Sequence, residues 1–211
     1  MYLFRRQLLV RGDPRKTLPW AQDMAALVSE KTALPVSLWS ATLGAPIGSL
    51  VFSTFVESRV ALAAATRGLV DDPEYLDLAV AGQQYVVAAP EDTLLGIVHN
   101  AGDEYQPAAV GAMVTSTSAV ISAGKYGAAT RWSIEVADLV AEITGLPVLF
   151  GTHVGGTIGR VEWVQSAPDV AAHEAAGQQV NNDSRYLAKI DEISGLFVEG
   201  SGQVLLGQRI A

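Results

Sequence analysis

Residues 113–122, MVTSTSAVIS, and residues 129–144, ATRWSIEVADLVAEIT, together decide the fold. In the first stretch Val114, Ser116, Ser118 and Val120 alternate with Thr115, Thr117, Ala119 and Ile121. A period of two rich in β-branched residues predicts a strand. Gly124 and Gly127 break it. In the second stretch Trp132, Val136, Leu139, Val140 and Ile143 step by three and four, which predicts an amphipathic helix that Gly145 ends. Leu146-Pro147 then opens a strand running to about Val154, Gly155 to Gly159 form a turn, and residues 160–166 form a third strand, so that the two pair as a hairpin. Pro168 is expected to open a second helix, where its missing N–H costs nothing, with Asp169 at the positive helix end. A short third helix carries Tyr186, and residues 204–210 form the last strand. The order is β-α-β-β-α-β.

Working outward, the same text recurs earlier in the chain. Trp20, Ala25, Leu27, Val28, Glu30, Thr32, Leu34, Pro35 and Val36 fall on Trp132, Ala137, Leu139, Val140, Glu142, Thr144, Leu146, Pro147 and Val148 at an offset of 112. Past the loop holding Gly44 and Gly156 the offset becomes 111: Ala64, Ala65, Asp72, Tyr75, Leu76, Val87, Leu94, Leu95 and Gly96 fall on Ala175, Ala176, Asp183, Tyr186, Leu187, Val198, Leu205, Leu206 and Gly207. Each copy must solve the same packing problem, so 211 residues divide into two units of about 100 each. The expected division is residues 1–100, a linker at 101–112, and residues 113–211.

This element order is the split βαβ or ferredoxin-like unit, a four-stranded antiparallel sheet with its helices on one face. The other face is bare in a single copy, and two such sheets meeting face to face would cover each other. On element order and duplication the chain resembles the dimeric α/β-barrel superfamily in its tandem-fused form. The fold class expected is therefore α+β, two ferredoxin-like repeats whose antiparallel sheets pack as a fused α/β barrel. That superfamily holds cofactor-independent oxygenases, haem-degrading enzymes, haem peroxidases, chlorite-decomposing enzymes, small-molecule isomerases and ligand-sensing domains. The resemblance implies a ligand between helices and sheet or within the barrel, and it does not choose among these activities.

Composition narrows the partners. Hydrophobic residues make up 49% and charged residues 17%, which implies that each half also buries surface against the other half or a further subunit. A net charge of -8, with 14 Lys and Arg scattered along the chain, argues against nucleic acid. With no cysteine, disulfides, thiolate metal sites and a Cys nucleophile are excluded. The apolar stretch within residues 1–10 is too short for a signal peptide, and no run approaches the roughly 18 apolar residues of a membrane span. A cytoplasmic protein with no membrane partner is the expectation.

Chemistry is sought where the two copies differ, because a core requires similarity and a site does not. His153 aligns with Ala41. If the hairpin places His153 opposite Arg160, alternation puts Gly151 and Glu162 on that same face, with Phe150, Val161 and Trp163 on the other, under the helices. The first copy has Ala41, Ser49, Val51 and Trp39 there. A carboxylate beside an imidazole and a guanidinium could orient a general base or bind an acidic ligand; the alternative is a solvated hairpin tip. His173 replaces the core residue Leu62 on the following helix and is the position for a haem ligand, against the alternative of a histidine satisfied by a local partner. Trp39, Arg6, Tyr75 and Tyr186 are further candidates for ligand contact. Both tyrosines recur beside Asp72 and Asp183, which favours structure, and Trp39 could equally be filler. No spacing suggests a metal. No phosphate loop or Gly-X-Ser-X-Gly elbow is present.

Three readings follow. The first is a small-molecule-binding protein or enzyme, oxygenase-like or isomerase-like and without cofactor, using His153, Glu162 and Arg160. The second is a haem protein using His173, and the third a non-catalytic sensing or assembly protein. Under the first, replacing His153 and Glu162 is expected to leave stability unchanged or improved while ligand binding is lost.

Overall fold

The computed structural model describes residues 1–100 and 107–211. Residues 101–106 of the expected linker lie outside the described residues. The first half runs β1 (Tyr2–Leu9), α1 (Pro14–Thr32), β2 (Ser37–Leu43), β3 (Ser49–Val56), α2 (Arg59–Val70), α3 (Pro73–Gly82) and β4 (Glu91–His99). The second runs β5 (Met113–Val120), α4 (Tyr126–Thr144), β6 (Val148–His153), β7 (Arg160–Ala167), α5 (Val170–Asn182), α6 (Ser184–Asp191) and β8 (Gln203–Arg209). Aspartates start most of the helices: Asp72 and Asp183 cap α3 and α6, and Asp13 caps α1 ahead of Pro14. α5 begins two residues later than expected. Asp169 is its N-cap, accepting from the Ala172 N–H at 2.8 Å, a bond that a proline ring cannot supply, so Pro168 lies just outside the helix.

All eight strands pair antiparallel in one closed barrel, β1-β3-β2-β8-β5-β7-β6-β4. Within it the first half contributes β4-β1-β3-β2 and the second β8-β5-β7-β6. The halves meet edge to edge, through Trp39↔Arg209 and Ala41↔Gly207 between β2 and β8, and Leu95↔His153 and Ile97↔Gly151 between β4 and β6. Closure removes the four free edges that separate sheets would present. It also turns the two bare faces towards each other across an interior rather than into flat contact.

Strand alternation sorts side chains to two cores outside the barrel and one region inside it. Leu8, Leu38, Leu50 and Phe52 point outward and pack with Trp20, Ala21, Met24 and Ala25 of α1. Phe150 and Val161 do the same beneath Ala129 and Ala137 of α4, with Trp163 beside them. Inside, Leu3, Leu95 and Val164 cluster with Phe55, Val114 and Leu149.

Pairing also corrects one alignment. Leu3 pairs with both Phe55 and Leu95, whereas Val114, two residues into β5 as Leu3 is into β1, pairs with Ser166 and Gly207. The position matching Leu95 is therefore Gly207, not Leu206. A one-residue slip reverses faces, so the repeated Leu-Leu-Gly text in β4 and β8 does not occupy matching places.

Each α1-type helix is pinned by an indole. Trp20 Nε1 donates to Leu78 O at 2.9 Å, and Trp132 Nε1 to Lys189 O at 3.0 Å. Gly82 lets α3 approach: a Cβ there would stand 2.0 Å from Trp20 Cζ2, and the ring is held by its own hydrogen bond. Gly82→Ala is expected to lower unfolding stability by about 1–3 kcal/mol through overpacking. Gly68→Ala in α2, where a Cβ meets nothing within 4 Å, is expected to be neutral or stabilising by roughly 0.5–1 kcal/mol. Urea unfolding of the two variants checks the contrast, and equal stabilities would contradict it.

Candidate functional site

The barrel encloses a cavity of about 560 Å³. Its wall is made mainly of inward-pointing strand residues, with loop residues such as Pro46 and Pro147 at its ends, and it divides by chemistry. Leu3, Phe55, Trp39, Val51, Leu149 and Val164 form an apolar part, while Arg5, His153, Arg160, Glu162, Ser116, Ser118 and Gln203 form a polar one. Phe150, Val161 and Trp163 face the helices instead.

Glu162 is at the centre of the polar part, its side chain only 1% exposed. β7 places it opposite Gly151 of β6 and Ser118 of β5. Arg5 reaches across from β1 and grips it with both guanidinium nitrogens, each at 2.5 Å from one carboxylate oxygen. Ser116 donates to Oε1 at 2.5 Å, and His153 Nε2 lies 2.8 Å from Oε2. Both carboxylate oxygens therefore carry two partners. His153, at the end of β6, has a side chain 4% exposed, and its Nδ1 makes no hydrogen bond to another described residue. Gly151 stays bare because a Cβ would meet Gly96 O at 2.6 Å and Leu95 Cγ at 2.8 Å.

Arg160 stands two residues before Glu162 on the same face. One terminal nitrogen donates to Ser118 Oγ at 3.1 Å and to Gln203 Oε1 at 3.3 Å. No carboxylate among the described residues pairs with it. Trp39 lines the opposite side, buried, its Nε1 donating to Ser53 Oγ at 2.9 Å.

The remaining sequence candidates sit elsewhere. Arg6 is on the outer face of β1 in a two-pronged ion pair with Asp92, at 2.8 and 2.7 Å. Tyr75 packs against the first outer core, and Tyr186 is half-buried on α6, where burial pushes its phenol up from its ordinary pKa. None of the three lines the cavity. His99 ends β4 against Asp138 of α4, at 2.6 Å. Arg5, Ser116, Ser118 and Gln203 escaped the sequence reading. The signal for Arg5 was the alternation Leu3, Arg5, Gln7 against Leu8 and Val10: of two adjacent arginines, the one in phase with Leu3 must point inward.

The haem question turns on His173. Its Nε2 lies 2.8 Å from Thr115 Oγ1, on the outer face of β5, and it is absent from the cavity wall. With that nitrogen engaged by a hydroxyl between helix and sheet, the residues present do not fit a haem there. Among the described residues no group of three or more His, Asp or Glu could hold a metal ion. No helix among them is long and apolar enough to cross a membrane.

The sequence matches no protein-family model and no curated protein. The fold does match solved structures. A candidate monooxygenase from Fusobacterium nucleatum subsp. nucleatum superposes with a TM-score of 0.73 at 9% identity, over 100% of this chain and 92% of that one. An anthrone oxidase-like protein gives 0.63 at 15% identity, over 100% and 92%. A major regulator of staphylococcal pathogenesis gives 0.59 at 10% identity, over 100% of both chains. At these identities the likeness is one of fold, a ferredoxin-like α/β architecture carried by oxidase-like and regulatory proteins alike.

Electrostatics single out Glu162. Burial alone would raise its pKa, but the Arg5 charge and hydrogen bonds from His153, Arg5 and Ser116 outweigh burial and hold the carboxyl well below its ordinary 4.5. A carboxylate depressed in the folded state contributes stability that is fully present above its unfolded pKa and is lost as pH falls towards the folded value. The Arg5 contact gives a replacement of Glu162 a cost in stability, since removing the carboxylate strands a guanidinium that is only 17% exposed. Glu162→Gln is expected to cost about 3–5 kcal/mol at neutral pH. In urea unfolding across pH, the gap between native protein and variant should narrow steadily below 4.5. A gap constant down to strong acid would contradict the assignment.

Proposed function

We propose that this chain binds a small, largely apolar molecule inside the barrel and removes a proton from it with His153. On this reading two ferredoxin-like units fused in tandem, residues 1–100 and 113–211, share one cavity, to which the first supplies Trp39 and Arg5 and the second His153, Arg160 and Glu162. The observation that carries the reading is the hydrogen bond from His153 to a carboxylate held ionised by an arginine. An anion can only accept, so Nε2 bears a proton, and whenever the ring is neutral Nδ1 keeps the lone pair. That nitrogen has no protein partner among the described residues, so its lone pair is free for a ligand.

The chemistry this supports is proton transfer at carbon or oxygen. His153 Nδ1 takes the proton, the bonding pair stays on the substrate as an enolate-type or phenolate-type anion, and Glu162 faces the resulting imidazolium as its counter-ion. Returning the proton to a different atom completes an isomerase-like reaction. The same removal opens a cofactor-independent oxygenase-like reaction, in which dioxygen is the co-reactant. A site of mostly apolar wall with a few convergent polar groups suits either.

The test uses a neutral apolar dye, N-phenyl-1-naphthylamine. Saturable binding to one site with quenching of the Trp39 emission is expected, and the quenching component should vanish in Trp39→Phe. Ala41→Phe, which projects a ring into the cavity, should weaken the dye by about tenfold or more. Dye binding indifferent to Ala41→Phe would place the site elsewhere and sink the reading.

A further inference from the structure

Resting on that reading of the cavity, we infer that the ligand carries a carboxylate and that Arg160 is the residue that selects for it. Two same-face neighbours on one strand, Arg160 and Glu162, would ordinarily pair with each other. Here they do not. Arg5 occupies both oxygens of Glu162, and Ser116 and His153 take the remaining acceptor positions, so the carboxylate has nothing left to offer Arg160. The guanidinium is instead steadied from one side by Ser118 and Gln203, both through the same terminal nitrogen. Its other terminal nitrogen and its Nε have no partner among the described residues. Both two-pronged edges of a guanidinium include the engaged nitrogen, so the free Nη1 is the donor left for a carboxylate, which it would hold by a single charge-assisted bond.

The rest of the wall agrees. Of the other groups with charge, Arg5 and Glu162 cancel. Glu91 lies on β4, two strands round from β7, and no ion pair joins it to Arg160 among the described residues. Arg160 is thus the unneutralised cation on the polar part of the wall. It also stands across the β6–β7 hairpin from His153, beyond the paired Thr152 and Val161, so the substrate's acidic hydrogen and its carboxylate must be near neighbours. An aryl or alkyl carboxylic acid whose acidic C–H or O–H is separated from the carboxylate by only a few bonds meets both demands.

Displacement of N-phenyl-1-naphthylamine by 1-naphthoate and by 1-naphthamide, which share shape and differ in charge, tests this on the full chain. The native protein should bind the naphthoate about tenfold or more tightly than the amide. In Arg160→Gln the ratio should fall to near one. Arg160→Lys, which keeps the charge, should keep most of the preference. A native protein that binds both compounds equally, or an Arg160→Gln variant that keeps the preference, overturns carboxylate selection while leaving the barrel site standing. Failure of both compounds to displace the dye overturns the site and the selection together.

Discussion

The interior is organised by the cost of a carboxylate out of water. Glu162 is among the most deeply buried side chains of the protein, and an ionised group there is tolerated only when every lone pair is answered. Four bonds from three strands do so, and they come from both halves: Arg5 from β1, Ser116 from β5 and His153 from β6. Such a network is a poor way to gain stability, since a well-packed apolar substitute would often do as well. What it does achieve is position. The carboxylate cannot turn, so the imidazole hydrogen-bonded to it cannot turn either, and the free nitrogen of that ring is aimed by a chain of contacts that begins on the opposite side of the barrel.

The two halves divide the labour around that group. Where the second half has Gly151, Glu162, His153 and Arg160, the first has Trp39, Val51, Ala41 and Ser49, so at these places the polar groups come from the second half, while Arg5 of the first completes their network. The outer faces show no such contrast: both bury aliphatic and aromatic residues beneath a long helix whose tryptophan donates to a carbonyl of a shorter one. Cavity wall and helix packing are thereby assigned to opposite faces of the same strands, which is what a period of two allows.

Much of this was legible in the sequence, and what was missed has physical causes. Element order, the outward set Phe150, Val161 and Trp163, and the meeting of His153, Glu162 and Arg160 on one inward face all followed from alternation, which is local. Arg5 did not follow, because its partner is 157 residues away and only closure of the barrel brings them together. The choice of Arg6 over Arg5 was an error of phase on a short strand with charged residues side by side. The slip at β4 and β8 has a similar source: the letters match in the text, whereas hydrogen-bond register sets the face. At His173 the helical stripe was read correctly as facing the sheet, but the hydroxyl of Thr115 that satisfies it belongs to a strand some 58 residues earlier.

Under the proposed tandem fusion, asymmetry is a requirement of the cavity. Arg5 and Ser116 occupy corresponding places on β1 and β5, yet both bond the same carboxylate. Restoring the symmetry would set an arginine in place of Ser116 and a glutamate in place of Val51, so that four charged side chains crossed an interior that now holds one bonded pair. The added bulk would fill the space that a ligand needs, and each new charge would demand partners that the apolar wall of Leu3, Phe55 and Leu149 cannot give. A pair of identical units would carry that arrangement on both sides, whereas a fused pair can keep the arginine in one half and the glutamate in the other. Ser116, at the place that corresponds to Arg5, contributes a hydrogen bond to Glu162, so the carboxylate is satisfied with one arginine.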